Sequence, residues 1–332
     1  MINQKTFRKI AIFSIVLLAV FMSCKNNAKK DTQADVIENE VSATPFFKLS
    51  LAEWSIHNMI NDKTFNPLDF AKKAKDMGFE GLEYVSQLYT PLYANDANPQ
   101  AALQNVLDSL KAKSDAYGLK NIGIMVDGEG DLASPDEEKR LEGVENHKKW
   151  IDARAFLGCY YVRVNLFGNE DNPDAWVSQS VKSLKALATY AKDKGIDVIV
   201  ENHGYLSSNT PFLIKVMKGV NMDNCGVLPD FGNFCLKREG GERWDAKCVE
   251  EYDRYKGVQQ MMPYAKAVSA KSYDFDNEGN ETTIDYKKMM QIVKDGGYKG
   301  FVGVEYEGTR MSEDEGIEAT KALLLKVAKE MH

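Results

Sequence analysis

Residues 197–202 read DVIVEN, a short run of β-branched residues that ends on polar side chains, and a similar arrangement recurs at 225–230 (CGVLPD) and 301–306 (FVGVEY). Runs of this length and composition are typical of buried strands. Five further runs of this kind complete a set of eight: 47–56 (FKLSLAEWSI), 81–85 (GLEYV), 121–126 (NIGIMV), 160–166 (YYVRVNL) and 267–273 (AVSAKSY). Helical patterns separate the runs, which recur at intervals of roughly 36 residues. This alternation predicts an α/β fold with a parallel sheet, and eight units predict a single closed (β/α)8 TIM barrel.

Capping residues punctuate the helical stretches between these strands. An N-cap residue stands before a proline in four places: Asn66-Pro67, Asn98-Pro99, Ser134-Pro135 and Asn172-Pro173. A glycine suited to a helix C-terminus follows each of the four helices: Gly78, Gly118, Gly158 and Gly195. Ser312 with Glu315, and Ser134 with Glu137, also have capping-box spacing. Because proline is favoured in the first helical turn and glycine just past the last, these signals delimit the helices.

The composition indicates a globular protein with one large domain. The chain has 332 residues, of which 44% are hydrophobic and 27% charged, so it can bury a substantial core. The net charge is −7, and residues 1–23 contain three basic residues and no acid, so the remainder carries −7 − 3 = −10. Such a surface repels a phosphate backbone on average, and we expect no nucleic-acid partner.

The amino-terminal segment has the layout of an export signal. Residues 1–23 combine a basic start, an apolar run too short to span a bilayer, and a small residue before Cys24. This segment resembles a bacterial lipoprotein signal peptide, which implies lipidation of Cys24; an ordinary export signal is the alternative. Residues 24–45 are predicted to be a disordered tether, and 46–332 the barrel domain. We expect an exported cell-envelope lipoprotein, in the outer membrane facing the periplasm, that meets the membrane only through its lipid anchor.

Four cysteines follow the leader: Cys159, Cys225, Cys235 and Cys248. They form no CxxC pair and have no histidine at zinc-finger spacing, so a structural zinc module is not expected. An oxidising compartment would permit disulfides, and pairing of Cys235 with Cys248 is geometrically open. We nevertheless favour buried free thiols at these positions.

Three predicted strands carry a carboxylate at or near their ends: Glu201, Asp230 and Glu305. In a barrel of this class the active site forms at the carboxyl ends of the strands, so these side chains are expected to converge at one mouth. Converging carboxylates repel one another unless a cation joins them, and a hard divalent metal with oxygen ligands is the simplest such cation. The alternative is that each carboxylate pairs with a neighbouring lysine or arginine.

The last four strands carry a family resemblance. The segments VIVENHG, VLPDFGN, AVSAKSYDF and FVGVEYEG, in this order, resemble the xylose-isomerase-like TIM barrel superfamily, which includes sugar isomerases and epimerases, inositol-pathway dehydratases and the endonuclease IV branch. The resemblance covers residues 46–330. It implies one divalent metal ion (manganese, magnesium, cobalt or zinc) held by Glu201, Asp230 and Glu305 together with a histidine from the seventh strand.

The sequence departs from the family on that seventh strand, where the family's His-x-Lys-Asp is replaced by residues 269–272 (SAKS). Serine is a weak metal ligand, so water, a substrate oxygen or His203 is expected to complete the metal's shell. Lys271 should face the same way as Ser269 and place its ammonium in the site, where it can polarise a substrate oxygen or hold an oxyanion. An outward-facing or salt-bridged lysine is the alternative.

Further polar side chains lie at or beyond the predicted strand ends. His203, two residues after Glu201, suits proton transfer or metal ligation because its charge can change near neutral pH. Five residues are candidates for substrate binding: His57, Glu83, Arg163, Asn165 and Asn233. Trp54 is a candidate platform for a sugar ring, although core packing suits it better. The segment 231–247 is the longest predicted loop and is expected to be a lid, and His147 is expected to be structural.

The resemblance and the strand-end carboxylates together indicate a metal-assisted carbohydrate isomerase or epimerase that acts on a free or keto sugar. In this interpretation Glu201 and Glu305 exchange a proton next to a carbonyl, on opposite faces of an enediolate. A lyase or dehydratase acting on a keto-glycoside would use the same proton abstraction and stays open. A non-catalytic sugar-binding lipoprotein is the alternative of another class. A DNA-repair phosphodiesterase is disfavoured because the chain has four histidines, too few for a trinuclear zinc cluster.

Overall fold

The computed structural model describes residues 44–169, 171–244 and 246–331. Eight parallel strands form the central sheet, which confirms the predicted TIM barrel. A separate antiparallel pair forms a hairpin beside it. In chain order the strands are β1 (Lys48–Ala52), β2 (Gly81–Val85), β3 (Lys120–Met125), β4 (Tyr161–Val164), β5 (Asp197–Glu201), β6 (Cys225–Leu228), β7 (Cys235–Arg238), β8 (Cys248–Glu251), β9 (Val268–Ser272) and β10 (Phe301–Tyr306), of which β7 and β8 form the hairpin.

Helices alternate with the barrel strands, as predicted. They are α1 (His57–Asn61), α2 (Phe70–Asp76), α3 (Ser86–Tyr93), α4 (Pro99–Tyr117), α5 (Glu137–Leu157), α6 (Pro173–Lys192), α7 (Tyr205–Ser208), α8 (Thr210–Val220), α9 (Arg254–Met261), α10 (Tyr286–Asp295) and α11 (Glu313–Glu330). The first strand is shorter than predicted, because its last four residues form a 3-10 helix (Glu53–Ile56). Within the part of the chain that the structure describes, no helix combines the length and the apolar character needed to cross a membrane.

The signal peptide, Cys24 and nearly all of the tether fall on residues 1–43, outside the described residues. The predictions of export, lipidation and a disordered tether therefore stay predictions.

Hydrogen bonding joins the barrel strands in the order β6-β5-β4-β3-β2-β1-β10-β9. Two parallel bridges, Val227 with Ala265 and Asp230 with Ser269, join the β6 side to the β9 side and close the circle. Because all eight strands run the same way, their carboxyl ends share one mouth.

The helix caps follow the sequence signals with one exception. Asn98 and Asn172 cap α4 and α6, and Ser312 with Glu315 forms the predicted capping box at α11. The prediction for Ser134 is wrong, since α5 begins at Glu137 with Asp136 as its N-cap. The Asp136 carboxylate accepts two backbone N–H bonds at the start of the helix, whereas the Ser134 hydroxyl accepts only from Asp136 N.

An apolar layer fills the barrel interior towards the amino ends of the strands. Its buried members are Ile122, Tyr161, Ile199, Leu228 and Ala267, with Phe301 packed against them. We call this cluster the apolar floor. The tyrosine ring fits because β3 carries a glycine beside it: a Cβ on Gly123 would lie 2.1 Å from that ring. Ile199 and Leu228 each precede a predicted site carboxylate by two residues, so the floor lies directly below the polar mouth.

The segment 231–247, predicted to be a loop, contributes the first strand of the β7–β8 hairpin, in which Cys235 and Cys248 form a disulfide. The preference for free thiols at these two positions was wrong. Antiparallel pairing brings the two Cα atoms to 5.8 Å, within the range that a disulfide requires. Cys159 and Cys225 are free. Disulfides persist in oxidising compartments, so this bond is compatible with the predicted export.

Candidate active site

Three carboxylates meet at the barrel mouth. Glu201 is the last residue of β5, Asp230 lies two residues beyond β6, and Glu305 is the fifth residue of β10. All three side chains are buried, and one oxygen from each lies within 4.8 Å of the others. Among the described residues, the cluster of possible metal ligands that meets this distance contains these three carboxylates and no histidine. The structure therefore brings together the three residues proposed as metal ligands.

Ser269 bridges two of these carboxylates. Its hydroxyl oxygen lies 2.6 Å from Asp230 Oδ2 and 2.8 Å from Glu305 Oε2. A hydroxyl has one proton to donate, so the second short contact requires a proton on a carboxyl group or the replacement of that proton by a cation. Burial raises the pKa of Asp230 to about 6 and that of Glu305 to about 8. In the absence of a metal, this pair therefore retains a proton near neutral pH.

Lys271 is buried beside the trio. Its Nζ lies 3.2 Å from Glu307 Oε2, 3.5 Å from Glu305 Oε1 and 3.4 Å from Asn233 Oδ1. Burial lowers the pKa of this ammonium, but the carboxylates of Asp230, Glu305 and Glu307 outweigh burial and hold that pKa well above its usual value. Lys271 is therefore a fixed positive charge that points into the site.

Arg163 carries the second positive charge of the site. Its Nε lies 2.9 Å from Glu201 Oε2, and its Nη1 lies 3.1 Å from Asp127 Oδ1. Asn165 Nδ2 donates to the same Asp127 oxygen at 2.6 Å. Burial alone would raise the pKa of Asp127, but the nearby Arg163 guanidinium makes the net shift downward. Arg163 and Asn165, proposed as substrate contacts, thus position Glu201 and Asp127.

The sequence reasoning missed Asp127 and Glu307. Asp127 directly follows the predicted strand 121–126 and Glu307 the predicted strand 301–306, so both stand directly beyond an apolar run. That is the signal that identified Asp230, and it could have identified both. Glu307 is held by Lys271, whose ammonium lowers the pKa of this carboxyl group despite its burial.

Asn233, which was proposed to bind substrate, contacts Glu201. Its Nδ2 donates to Glu201 Oε1 at 2.9 Å. The backbone N–H groups of Gly232 and Asn233 donate to Asp230 Oδ1 at 2.9 and 2.8 Å. Asn202 fixes the main chain of Asp230 through two further bonds, of 2.7 and 3.1 Å. These bonds fold the DFGN turn so that Asp230 is held at the mouth.

His203 lies at the edge of the site, half-buried, with its ring 5.0 Å from that of Trp244 and 6.1 Å from that of Phe167. Its Nδ1 is buried and has no hydrogen-bond partner among the described residues. Burial, reinforced by the positive charge of Arg163, lowers the pKa of His203 to about 4, so the ring is neutral at pH 7. The roles proposed for His203, proton transfer or metal ligation, stay predictions.

Glu83 does not end its strand as predicted but is the third of five residues in β2. Its side chain points into the barrel, where the Ser50 hydroxyl donates to its carboxylate. The buried Tyr161 hydroxyl also interacts with the Glu83 carboxylate and opposes part of the effect of burial on its pKa. Burial raises the pKa of Glu83 to about 7. Glu83 therefore lies one layer deeper than the strand-end carboxylates, between the mouth and the apolar floor.

Substitution of this buried acid should change how stability depends on pH. The native pKa near 7 exceeds the ordinary value of 4.5, so the folded state holds the proton more tightly, and the stability that this gives is lost as pH rises from 4.5 through 7. Between pH 5 and pH 8, Glu83 should cost the wild-type protein up to roughly 3 kcal/mol of unfolding free energy. We expect Glu83→Gln not to show this part of the loss. Urea unfolding at both pH values measures this. The exposed Glu80→Gln is the control, and equal slopes for wild type and Glu83→Gln would contradict the expectation.

His57 and Trp54 stack on one another with ring centroids 4.2 Å apart. His57 Nδ1 lies 2.6 Å from the Trp54 carbonyl oxygen and 3.7 Å from Glu313 Oε1, so its contacts are with α11 and its own turn. A substrate contact by His57 stays a prediction. His147 is buried in α5 with Nδ1 2.7 Å from the Gly143 carbonyl oxygen, an arrangement that suits the structural role proposed for it.

The charges of the site do not balance. Two cations, Arg163 and Lys271, face the carboxylates at the mouth, which are Asp127, Glu201, Asp230, Glu305 and Glu307. With all of these groups ionised the excess is 5 − 2 = 3 negative charges, and a divalent cation would reduce it to one. Buried carboxylate oxygens are the donors that hard divalent ions prefer. The residues present therefore fit a divalent metal ion, with Ser269 at the position where the resemblance implied a histidine.

Comparisons with known proteins agree with this architecture. A family model described as xylose isomerase-like TIM barrel matches residues 71–327. No curated protein sequence matches the chain. The E. coli 3-keto-D-glucoside 4-epimerase is similar in structure with a TM-score of 0.61, at 17% identity over 84% of this chain and 99% of its own.

Two further solved structures share the fold. The IolI protein, solved with a zinc atom, has a TM-score of 0.62 at 16% identity over 86% of this chain and 99% of its own. The D-psicose 3-epimerase of Clostridium cellulolyticum H10, solved with D-tagatose, has a TM-score of 0.57 at 15% identity over 86% and 96%. At these identities the likeness shows the fold alone, whereas the family match covers most of the barrel domain. The chain belongs to the xylose isomerase-like TIM barrel family.

Proposed function

We propose that the protein is a carbohydrate isomerase or epimerase that removes a proton next to the carbonyl of a free or keto sugar. The observation that carries this proposal is the convergence of Glu201 and Glu305, with Asp230, at the carboxyl mouth of the barrel. A carboxylate buried in such a site is a stronger base than one in water, because burial raises the pKa of both glutamates. Two bases on different strands can act on opposite faces of one substrate carbon.

Glu201, Asp230 and Glu305 would hold one divalent metal ion, and among manganese, magnesium, cobalt and zinc this all-oxygen donor set favours magnesium or manganese. When bound, such an ion polarises a carbonyl and makes the neighbouring C–H bond more acidic.

The remaining residues orient the bases and receive the developing charge. Asn233 and Arg163 contact different oxygens of Glu201 and so fix the direction of its carboxylate. The Lys271 ammonium, 3.5 Å from Glu305, is placed to hold a substrate oxygen that becomes negative as the proton leaves. The apolar floor below keeps water from approaching the site from the amino ends of the strands.

Two alternatives rest on particular observations. A lyase on a keto-glycoside would use the same base and the same ammonium, and a structural neighbour that is named for a 3-keto-D-glucoside supports this substrate class. A sugar-binding protein without catalysis is favoured by Ser269 and by the pairing of Glu201 with Arg163 and of Glu305 with Lys271. Those two ion pairs can satisfy part of the trio without a metal.

Metal analysis of the purified protein followed by NMR in deuterated water tests the proposal. The protein is incubated with a panel of ketoses, aldoses and 3-keto-glucosides, before and after removal of metal by a chelator. We expect deuterium at the carbon next to the carbonyl as product forms, and loss of this exchange in the chelated sample. Product without solvent deuterium would indicate internal proton or hydride transfer, and binding without exchange or product would favour the non-catalytic alternative.

A further inference from the structure

The hairpin formed by β7 and β8 presents an aromatic side chain over the barrel mouth. Trp244 lies in its connecting segment and is 43% exposed. Its ring centroid lies 5.0 Å from His203 and 5.8 Å from Phe167. Phe167 follows β4 and His203 follows β5, so both belong to the carboxyl end of the barrel. We call Phe167, His203 and Trp244 the aromatic cleft.

The aromatic cleft is held in place by several cross-links within the hairpin. The disulfide between Cys235 and Cys248 links its two strands, and Arg238 Nη1 donates to the Ala246 carbonyl at 2.7 Å. Glu239 N donates to the Lys247 carbonyl at 3.0 Å. A half-exposed tryptophan on a braced hairpin loses little conformational entropy when a ligand covers it, which is the condition for a preorganised binding surface.

The cleft is continuous with the acidic site through His203. This residue is two positions from Glu201, and its charge environment includes Arg163, Asp127 and Lys271. Its buried Nδ1 has no hydrogen-bond partner in the described part of the chain. A ligand that spans both regions would meet carboxylates and cations at one end and aromatic faces at the other.

We propose that Phe167, His203 and Trp244 form a subsite for the ring attached to the reacting sugar, so that the substrate is a glycoside and not a free monosaccharide. This inference rests on the proposed function, since it places the reacting sugar at Glu201 and Glu305. The occupant of the subsite is a six-membered ring with an apolar face, either a second pyranose or an aryl group. In both cases such a ring can stack on the exposed Trp244, while Phe167, which carries the Arg243 guanidinium 4.9 Å from its ring centre, supports the tryptophan from the side.

Binding measurements that do not require turnover test the subsite. Glucose, cellobiose and phenyl β-D-glucoside are titrated into the full chain by calorimetry, and saturation-transfer NMR identifies which ring receives magnetisation from the protein. We expect cellobiose or phenyl glucoside to bind about three- to tenfold more tightly than glucose. A larger gain in affinity for cellobiose indicates a pyranose subsite, and a larger gain for phenyl glucoside indicates an aryl subsite. Absence of any gain for both glycosides would overturn the proposal, whatever the outcome of the deuterium experiment.

Variants assign the gain to the cleft. Trp244→Ala should remove most of the preference for the glycoside over glucose, whereas Trp244→Phe should retain part of it. Tyr160→Ala is the matched control, because Tyr160 is 52% exposed and precedes β4 at the opposite end of the barrel. The double variant Cys235→Ser with Cys248→Ser keeps the tryptophan but loosens its support, so it should also reduce the preference. A preference that Trp244→Ala leaves unchanged would contradict the assignment.

Discussion

Replacing either Glu201 or Glu305 with glutamine is expected to lower turnover by about two to four orders of magnitude, the usual contribution of one general base. Glutamine keeps the shape of the side chain and one acceptor oxygen but cannot take up a proton. The contacts of Glu201 with Asn233 and of Glu305 with Ser269 can persist through that oxygen, so the fold should survive. Kinetics on the substrate identified by the deuterium screen, with circular dichroism as a check on folding, measures this effect.

The two variants should also separate the roles of the two bases. If each carboxylate serves one face of the substrate, each single variant should still exchange one substrate proton with solvent deuterium without completing an epimerisation. Glu80→Gln, an exposed change of the same chemistry, is the control. Turnover that stays at the wild-type rate in both variants would rule out the proposed mechanism.

Lys271→Met is expected to lower turnover by about two to three orders of magnitude, as removal of one oxyanion donor typically does. The ammonium lies 3.5 Å from Glu305, so its loss also removes a positive charge that lowers the pKa of this proposed base. The activity profile should therefore shift towards higher pH on its acidic side. The loss of turnover at the optimum pH of each protein, compared after this shift, separates the oxyanion role from charge balance.

Lys266→Met is a suitable control for this variant. Lys266 is also ion-paired, 3.2 Å from Asp197, but it precedes β9 and its partner begins β5, at the end of the barrel away from the site. A fully active Lys271→Met protein would show that the buried ammonium holds no substrate oxygen during the reaction.

The carboxylate trio was predictable from the sequence for a geometric reason. A carboxylate at the end of an apolar run in a parallel barrel lies at the carboxyl mouth of that barrel. Glu201, Asp230 and Glu305 all follow this rule. Glu83 does not follow this rule, because it lies in the middle of β2 (Gly81–Val85) and not at its end, so its side chain lies inside the barrel. A local pattern shows where a strand begins more reliably than where it ends.

The hairpin and its disulfide were harder to predict. β7 and β8 are four residues each, two of them charged in each strand, so they lack the apolar signature of the barrel strands. Their pairing depends on contacts between residues thirteen apart and on two glycines with positive φ, Gly240 and Gly241, in the connection. The aromatic cleft follows from this pairing, since Trp244 reaches His203 and Phe167 only when the hairpin has formed.

The apolar floor makes the barrel a blind-ended pocket. With Tyr161, Ile199 and Leu228 filling the interior below Glu201 and Asp230, a substrate and its product must pass through the same opening. Entry and departure therefore compete for one route, and the hairpin that carries Trp244 borders it. At saturating substrate, the departure of product past Trp244 can then limit the rate. The chemical step would in that case be faster than the steady-state turnover rate.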